Sequence, residues 1–251
     1  MPEEADQPTS EVMRRRALRH HPIAAQRERN TLLRKQAERI AESVTRPERA
    51  LPIYLAMVPA NTRETTALPL ETRKTFLDRL ETIVRRVFLA APTVAPVADD
   101  DGAPASTMSW PGESLDSPAM TAVLGRSCAT CRGECCTAGG DHAFLREDSI
   151  ERVRREQPSL DAAAMVAQYA DHLPARHYRG SCVYHGLDGC HLPRDLRSNL
   201  CNRYVCGGLT QLRNALSGDE SPAAFVAAAD SAHLRRMALV DASETRPVAL
   251  N

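Results

Sequence analysis

All eight cysteines of this 251-residue chain lie between residues 128 and 206, at Cys128, Cys131, Cys135, Cys136, Cys182, Cys190, Cys201 and Cys206. No cysteine precedes or follows that stretch. Thiols concentrated in this way need a common partner, which is a metal, another thiol or a dry core. Aromatic residues make up only 4% of the chain. A loop-rich cysteine region therefore has little large apolar surface to hold it together, and a cross-link is expected to take that part.

The first cluster reads Cys128-Ala-Thr-Cys131-Arg-Gly-Glu-Cys135-Cys136. Two thiolates separated by two residues can grip one metal, because a tight turn aims both sulfurs at the same point. Gly133, and Gly139-Gly140 after the adjacent pair, relax the turns this requires. The second cluster is spaced Cys182-x7-Cys190-x10-Cys201-x4-Cys206, with Gly180, Gly186 and Gly189 around its first two members. Metal binding is the leading reading, and all eight cysteines are its candidate ligands. A disulfide framework is the weaker one. The opening MPEEADQPTS is acidic and polar, and no apolar stretch follows Arg14-Arg15-Arg16. No secretory signal is expected, so a reducing cytoplasm is the expected location. Inert buried thiols would not call for clustering with glycine punctuation.

Zinc and an iron–sulfur cluster both accept four cysteines at irregular spacing, and the spacing leaves the choice of metal open. Eight thiols supply either two separate four-thiolate sites or one such site and a second that shares ligands. Cys135 and Cys136 point in different directions, so the pair can serve two metals, or one metal and one structural contact. Arg132, Arg194, Arg197 and Arg203 lie beside the cysteines and can offset thiolate charge. His142, His185 and His191 each fall within six residues of a cysteine. With so many thiols present, each reads as a neighbour more than as a ligand.

The remainder reads as mainly α. Leu33, Ala37, Ile40 and Val44 form one face of a helix from Ile23 to Val44. A second short helix is expected from Thr45 to about Met57, with Pro52 as a break. A third, between Leu70 and Ala90, carries the stripe Phe76, Leu80, Ile83, Val84, Val87 and Phe88. Residues 91–118, rich in Pro, Asp, Ser and Gly and containing Trp110, have no apolar period and read as linker. Helices are expected after an Asp148/Glu151 capping box and from a Ser159 cap through Leu173. A short one is opened by Pro193, and a final Ala-rich helix runs from Ser221-Pro222 to Val240. No strand alternation of useful length is evident. The expected organisation is N-terminal amphipathic helices in 1–90, a linker in 91–120, a loop-rich, metal-pinned cysteine domain with short helices in 121–208, and a C-terminal helix and tail in 209–251.

The text CATCRGECC, then GSCVYHGLDGC and LPRDLRSNLCNRYVC, resembles the YkgJ-like cysteine-cluster family, which is described as a zinc- or iron-chelating domain. All eight cysteines match that family's pattern in order, over about residues 128–206. The first cluster departs from it, reading CxxCxxxCC where the family has CxxCxxCC. Leu192-Pro193-Arg194 and Arg197 replace the family's tyrosine and arginine-proline text. The resemblance implies a metal-binding domain. Through the flagellin lysine N-methylase it also implies an iron–sulfur, protein-modifying enzyme as the alternative.

Other chemistries lack their motifs. A radical-SAM CxxxCxxC fails because Ala138 stands where the third cysteine belongs. There is no G-x-G-x-x-G after a strand, no Walker A loop, no H-E-x-x-H and no G-x-S-x-G. Lys and Arg total 32 against 32 Asp and Glu, so no global charge favours nucleic acid or an anionic membrane. The N-terminal basic run is diluted by Glu11, Glu28 and Glu38 and holds no aromatic for base stacking. No run of apolar residues is long enough to span a bilayer. The sequence therefore predicts a binding or accessory factor that holds zinc or an iron–sulfur centre, with a protein as its counterpart.

Overall fold

A computed structural model of the protein describes residues 10–44, 53–90 and 116–250, with side chains of the first helix described from residue 24. In chain order the elements are α1 (Ser10–Val44), β1 (Tyr54–Pro59), β2 (Thr65–Ala67), α2 (Leu70–Leu89), α3 (Pro118–Cys131), α4 (Glu147–Glu156), α5 (Ala162–Asp171) and β3 (Arg176–Tyr178). They continue with β4 (His185–Gly186), β5 (Gly189–Cys190), α6 (Asn199–Arg203), α7 (Gly207–Ala215), β6 (Ala223–Ala229), β7 (Leu234–Asp241) and β8 (Thr245–Val248). Two 3-10 helices, Glu134–Gly139 and Arg194–Leu196, lie among the cysteines.

A four-stranded mixed sheet, in the order β1-β6-β7-β8, overturns the mainly-α expectation. β1 runs parallel to β6, and β6, β7 and β8 follow one another antiparallel. The sheet is the middle layer of three. Leu55, Phe225, Ala227, Leu234 and Met237 share one face, where Leu33 and Ala37 of α1 cover them; a register shift at Ala228/Ala229 brings Leu234 and Met237, three residues apart, to the same side. Ala56, Val58, Ala224, Val226 and Ala228 point the other way, onto Val123 and Leu124 of α3 and Leu209 and Leu212 of α7.

The helix expected from Ser221 to Val240 is thus a hairpin of two strands. Its first half, Ala-Ala-Phe-Val-Ala-Ala-Ala, is alanine-rich and reads as helix by propensity. As an interior strand covered on both faces, it shows the continuous apolar run that periodicity cannot tell from a buried helix. The small alanines let helices approach the sheet from both sides. The second short helix is corrected in the same way: residues 45–52 lie outside the described residues, and Tyr54–Pro59 is β1. The linker read over 91–118, with Trp110, lies outside the described residues up to residue 115.

Other helix starts shift by a few residues. α4 begins after Arg146 with no side-chain cap, and Asp148 lies inside its first turn, accepting from the Ser149 N–H and hydroxyl. α5 is capped by Asp161, which accepts from the Ala164 N–H at 2.8 Å, and not by Ser159. The helix attributed to Pro193 is a 3-10 turn, followed by α6 capped by Ser198. α2 matches its stripe: Phe76, Leu80, Ile83, Val84 and Val87 are all buried. They pack with Ile150 and Val153 of α4, Met165 and Tyr169 of α5, and Val183 and Tyr184, forming a second, helical core.

The N-terminus of α7 lies directly on β1. A methyl group at Gly208 would overlap the Met57 carbonyl oxygen, which is backbone and cannot swing away. Gly208→Ala is expected to lower stability by about 1–3 kcal/mol or more, read as a fall in the denaturant midpoint. An unchanged midpoint would mean that α7 does not seat on β1 as described.

Candidate metal centre

Ser117 caps α3 by accepting from the Met120 N–H at 3.1 Å, and Pro118 occupies the first turn. Cys128 and Cys131, three residues apart in the last turns, share a helix face. The helix stops at Cys131 because Arg132 (φ 58°) and Gly133 (φ 68°) both turn left-handed. The reversal returns the Glu134 N–H to the Cys131 sulfur at 3.3 Å.

Residues far away in sequence lock this turn. The Asn61 N–H donates to the Cys131 carbonyl and its side-chain amide to the Arg132 carbonyl, each at 3.0 Å. Arg236 of β7 donates to the Thr130, Cys131 and Asn61 carbonyls at 2.9 to 3.0 Å. A cation at this end satisfies carbonyls that the helix leaves open and opposes the helix dipole.

The 3-10 helix that follows carries Cys135 and Cys136. Successive residues of a 3-10 helix are rotated by about 120°, yet the two thiols still meet in a side-chain hydrogen bond. A Cβ on Gly133 would lie 2.5 Å from His185 Nε2 and 3.4 Å from the Cys136 sulfur. The left-handed glycine is therefore also the residue that leaves room for the His185 ring.

The second cluster is tied to the first by backbone. The Cys182 N–H donates to the Cys136 carbonyl at 3.1 Å and the Val183 N–H to the Gly140 carbonyl at 2.9 Å. The β4–β5 hairpin sets Cys190 opposite His185. Arg197 then donates to the Leu192 carbonyl at 2.8 Å and the Cys190 carbonyl at 3.4 Å. Cys201 sits in α6, its N–H donating to the Ser198 hydroxyl at 3.1 Å. Cys206 immediately precedes α7, and its carbonyl accepts from the Thr210 N–H.

All eight cysteines are free thiols. Burial pushes the Cys128 thiol up to about 12, helped by the charges of Cys135, Cys131 and Cys206 and opposed by Arg197. The residue as a whole is exposed, while its sulfur faces this crowded side. Burial likewise raises Cys182 to about 12, with Cys190 and Cys201 adding to the shift. Cys131 and Cys201 are raised chiefly by burial, and neighbouring thiols add to it. Cys135 and Cys136 share a hydrogen bond, which lowers the first and raises the second. Among the described residues, no group of three or more His, Cys, Asp or Glu is closed tightly enough to hold a metal as it stands. Cys128, Cys131, Cys182 and Cys201 are thus neighbours in a desolvated setting that penalises their ionisation. A thiophilic cation reverses that penalty, so the donor set suits zinc or iron.

The histidines divide. The His142 Nδ1 accepts from the Phe144 N–H at 3.0 Å and so serves its own turn. His191 lies against Gly186. His185 is 1% exposed, its Nδ1 lies 2.8 Å from the Ser181 hydroxyl, and its buried Nε2 lacks a well-formed hydrogen bond. Burial holds this imidazole down to about 4, the Arg132 carbonyl opposing the shift.

No family model, curated protein or solved structure matches the chain. The geometry must carry the reading unaided. It includes groups the sequence did not single out. His177 and Tyr178 are buried beside His185, the Tyr178 ring 4.6 Å from the imidazole. Asn61 and Arg236 hold the CxxC turn from opposite ends of the chain. No local pattern marks either one, because their partners are backbone carbonyls brought near only by the sheet.

Proposed function

We propose that the protein binds a thiophilic metal, zinc or iron, through its eight cysteines and acts as a binding or accessory factor for a protein partner. The observation that carries this reading is the joining of the two cysteine clusters, distant in sequence, at the Cys182–Cys136 backbone hydrogen bond. Two further observations support it: burial, with neighbouring thiols adding to it, raises Cys128, Cys131, Cys182 and Cys201, and Arg197 donates to the Cys190 carbonyl among them. The reading implies a reducing, cytoplasmic setting, since thiol ligands must stay reduced. Among the described residues, no helix is long and apolar enough to cross a membrane.

Elemental analysis and a visible absorption spectrum of protein purified without oxygen test the proposal. Bound zinc, or iron with sulfide and a brown colour, is the expected result. Cys131→Ala is expected to reduce bound metal, because it removes one thiolate of the CxxC pair. Metal-free folded protein, or full metal content in Cys131→Ala, would overturn the assignment.

A further inference from the structure

The reading above leaves its protein partner without a chemical character. We infer that the outer face of α6, where Leu200 and Tyr204 stand among arginines, docks an acidic protein segment that carries an apolar anchor. This inference rests on the partner half of that reading and uses nothing of the metal.

α6 has five residues, Asn199–Arg203, and a helix of that length does not persist alone. Its inner side is held by other elements. Arg152 of α4 donates to the Asn199 side chain at 3.0 Å, the Asp195 carbonyl at 2.7 Å and the Arg197 carbonyl at 2.6 Å. The buried Ser198 hydroxyl accepts from the Cys201 N–H at 3.1 Å, and the Asn202 side chain donates to the Arg194 carbonyl at 2.8 Å. This anchoring fixes which side of α6 turns outward. Leu200 is 44% exposed there and Tyr204 55%. The Tyr204 N–H donates to the Leu200 carbonyl at 2.9 Å, so the two residues lie one turn apart. Every other tyrosine and every phenylalanine of the chain is buried or half-buried. A tyrosine beside a leucine on a clamped element is a pre-organised contact with little rotamer entropy to lose.

Charge names the occupant. Residues 192–206 hold Arg194, Arg197 and Arg203 against one carboxylate, Asp195. Arg203 is three residues from Leu200 on the same helix and therefore flanks it. Arg194 is exposed beside α6. Arg197 donates to the Leu192 and Cys190 carbonyls, and neutral carbonyls leave its charge in place. Tyrosine and arginine together are the residues that dominate interface hot spots. The positive balance favours aspartate and glutamate on the partner and repels a basic one. A second copy of this chain fits less well, because a two-fold contact would set the same arginines against one another.

Fluorescence anisotropy on the full chain, purified without oxygen, tests the surface. The probe is a labelled peptide with a single Leu flanked by Asp residues, compared with the same peptide carrying Lys in place of Asp. The acidic peptide is expected to bind, and the basic one about tenfold more weakly or worse. Leu200→Ser and Tyr204→Ser change exposed side chains and should leave the urea midpoint unchanged, yet each should weaken the acidic peptide by about tenfold. Arg194→Glu should weaken the acidic peptide and strengthen the basic one. No binding of the acidic peptide, equal binding of the two, or binding that survives Leu200→Ser combined with Tyr204→Ser would overturn the inference. So would a dimer in sedimentation that Tyr204→Ser converts to monomer, since a second copy would then cover the face. Metal-loaded protein that binds neither peptide would end this inference alone, whereas metal-free folded protein that binds the acidic one would end the metal assignment alone.

Discussion

On the proposed metal binding, treating the loaded protein with a chelator under reducing conditions is expected to loosen residues 133–143 and 180–206 while the sheet β1-β6-β7-β8 keeps its protection. Val183, Tyr184, Leu192 and Leu196 anchor these segments in the helical core, but their regular structure is short. It consists of a hairpin of two two-residue strands, two 3-10 helices and the five-residue α6. Residues 132 and 133, and Gly140, Gly180 and Gly189, sit in left-handed conformations, and short elements of this kind do not persist alone. Structural zinc contributes apparent free energies on the order of 10 kcal/mol where no preformed site exists. The measurement is hydrogen exchange with and without metal. Protection should fall sharply in the two segments and little in β6 and β7. Equal protection in both states would mean that the cysteine region is held by its apolar contacts alone, and the structural role of the metal would fail.

Phe225→Ala is expected to cost about 3–5 kcal/mol, a large part of the ~5–15 kcal/mol that keeps a domain folded. Phe225 is fully buried at the centre of β6, on the face covered by α1. Its neighbours there include Leu33, Ala37, Leu55, Leu234 and Met237. The small Ala37 and Ala227 cannot expand into the space a phenyl ring leaves, so the cavity term is retained. Urea unfolding of the reduced, metal-loaded protein measures the effect. A change under about 1 kcal/mol, well below the usual range for a buried aromatic, would mean that α1 does not cover that face.

The cysteine region and the α2 stripe were legible from residue order because each signal is local. A CxxC turn spans four residues, and a helix stripe repeats within two turns, so neighbouring residues carry the information. The helices near Asp148 and Ser159 start within a few residues of the positions their sequence suggests but with other capping groups, because Ser, Asp and Glu compete for the same orphan N–H groups. The hairpin of β6 and β7 was illegible for the opposite reason. An alanine-rich run has helix propensity, and only β1 on one side, β7 on the other and helices on both faces make a strand the lower free-energy choice.

Residue order alone determined that eight thiols lie within one stretch, that they are punctuated by glycine, and that α2 has one apolar face. Only the tertiary structure decided that the stretch is flanked by a mixed sheet, that Asn61 and Arg236 brace the CxxC turn, and which thiols are neighbours. The physical reason is that bearing and burial are set by packing. Cys128 and Cys182 are indistinguishable as letters, yet packing buries Cys182 in the helical core and leaves Cys128 exposed.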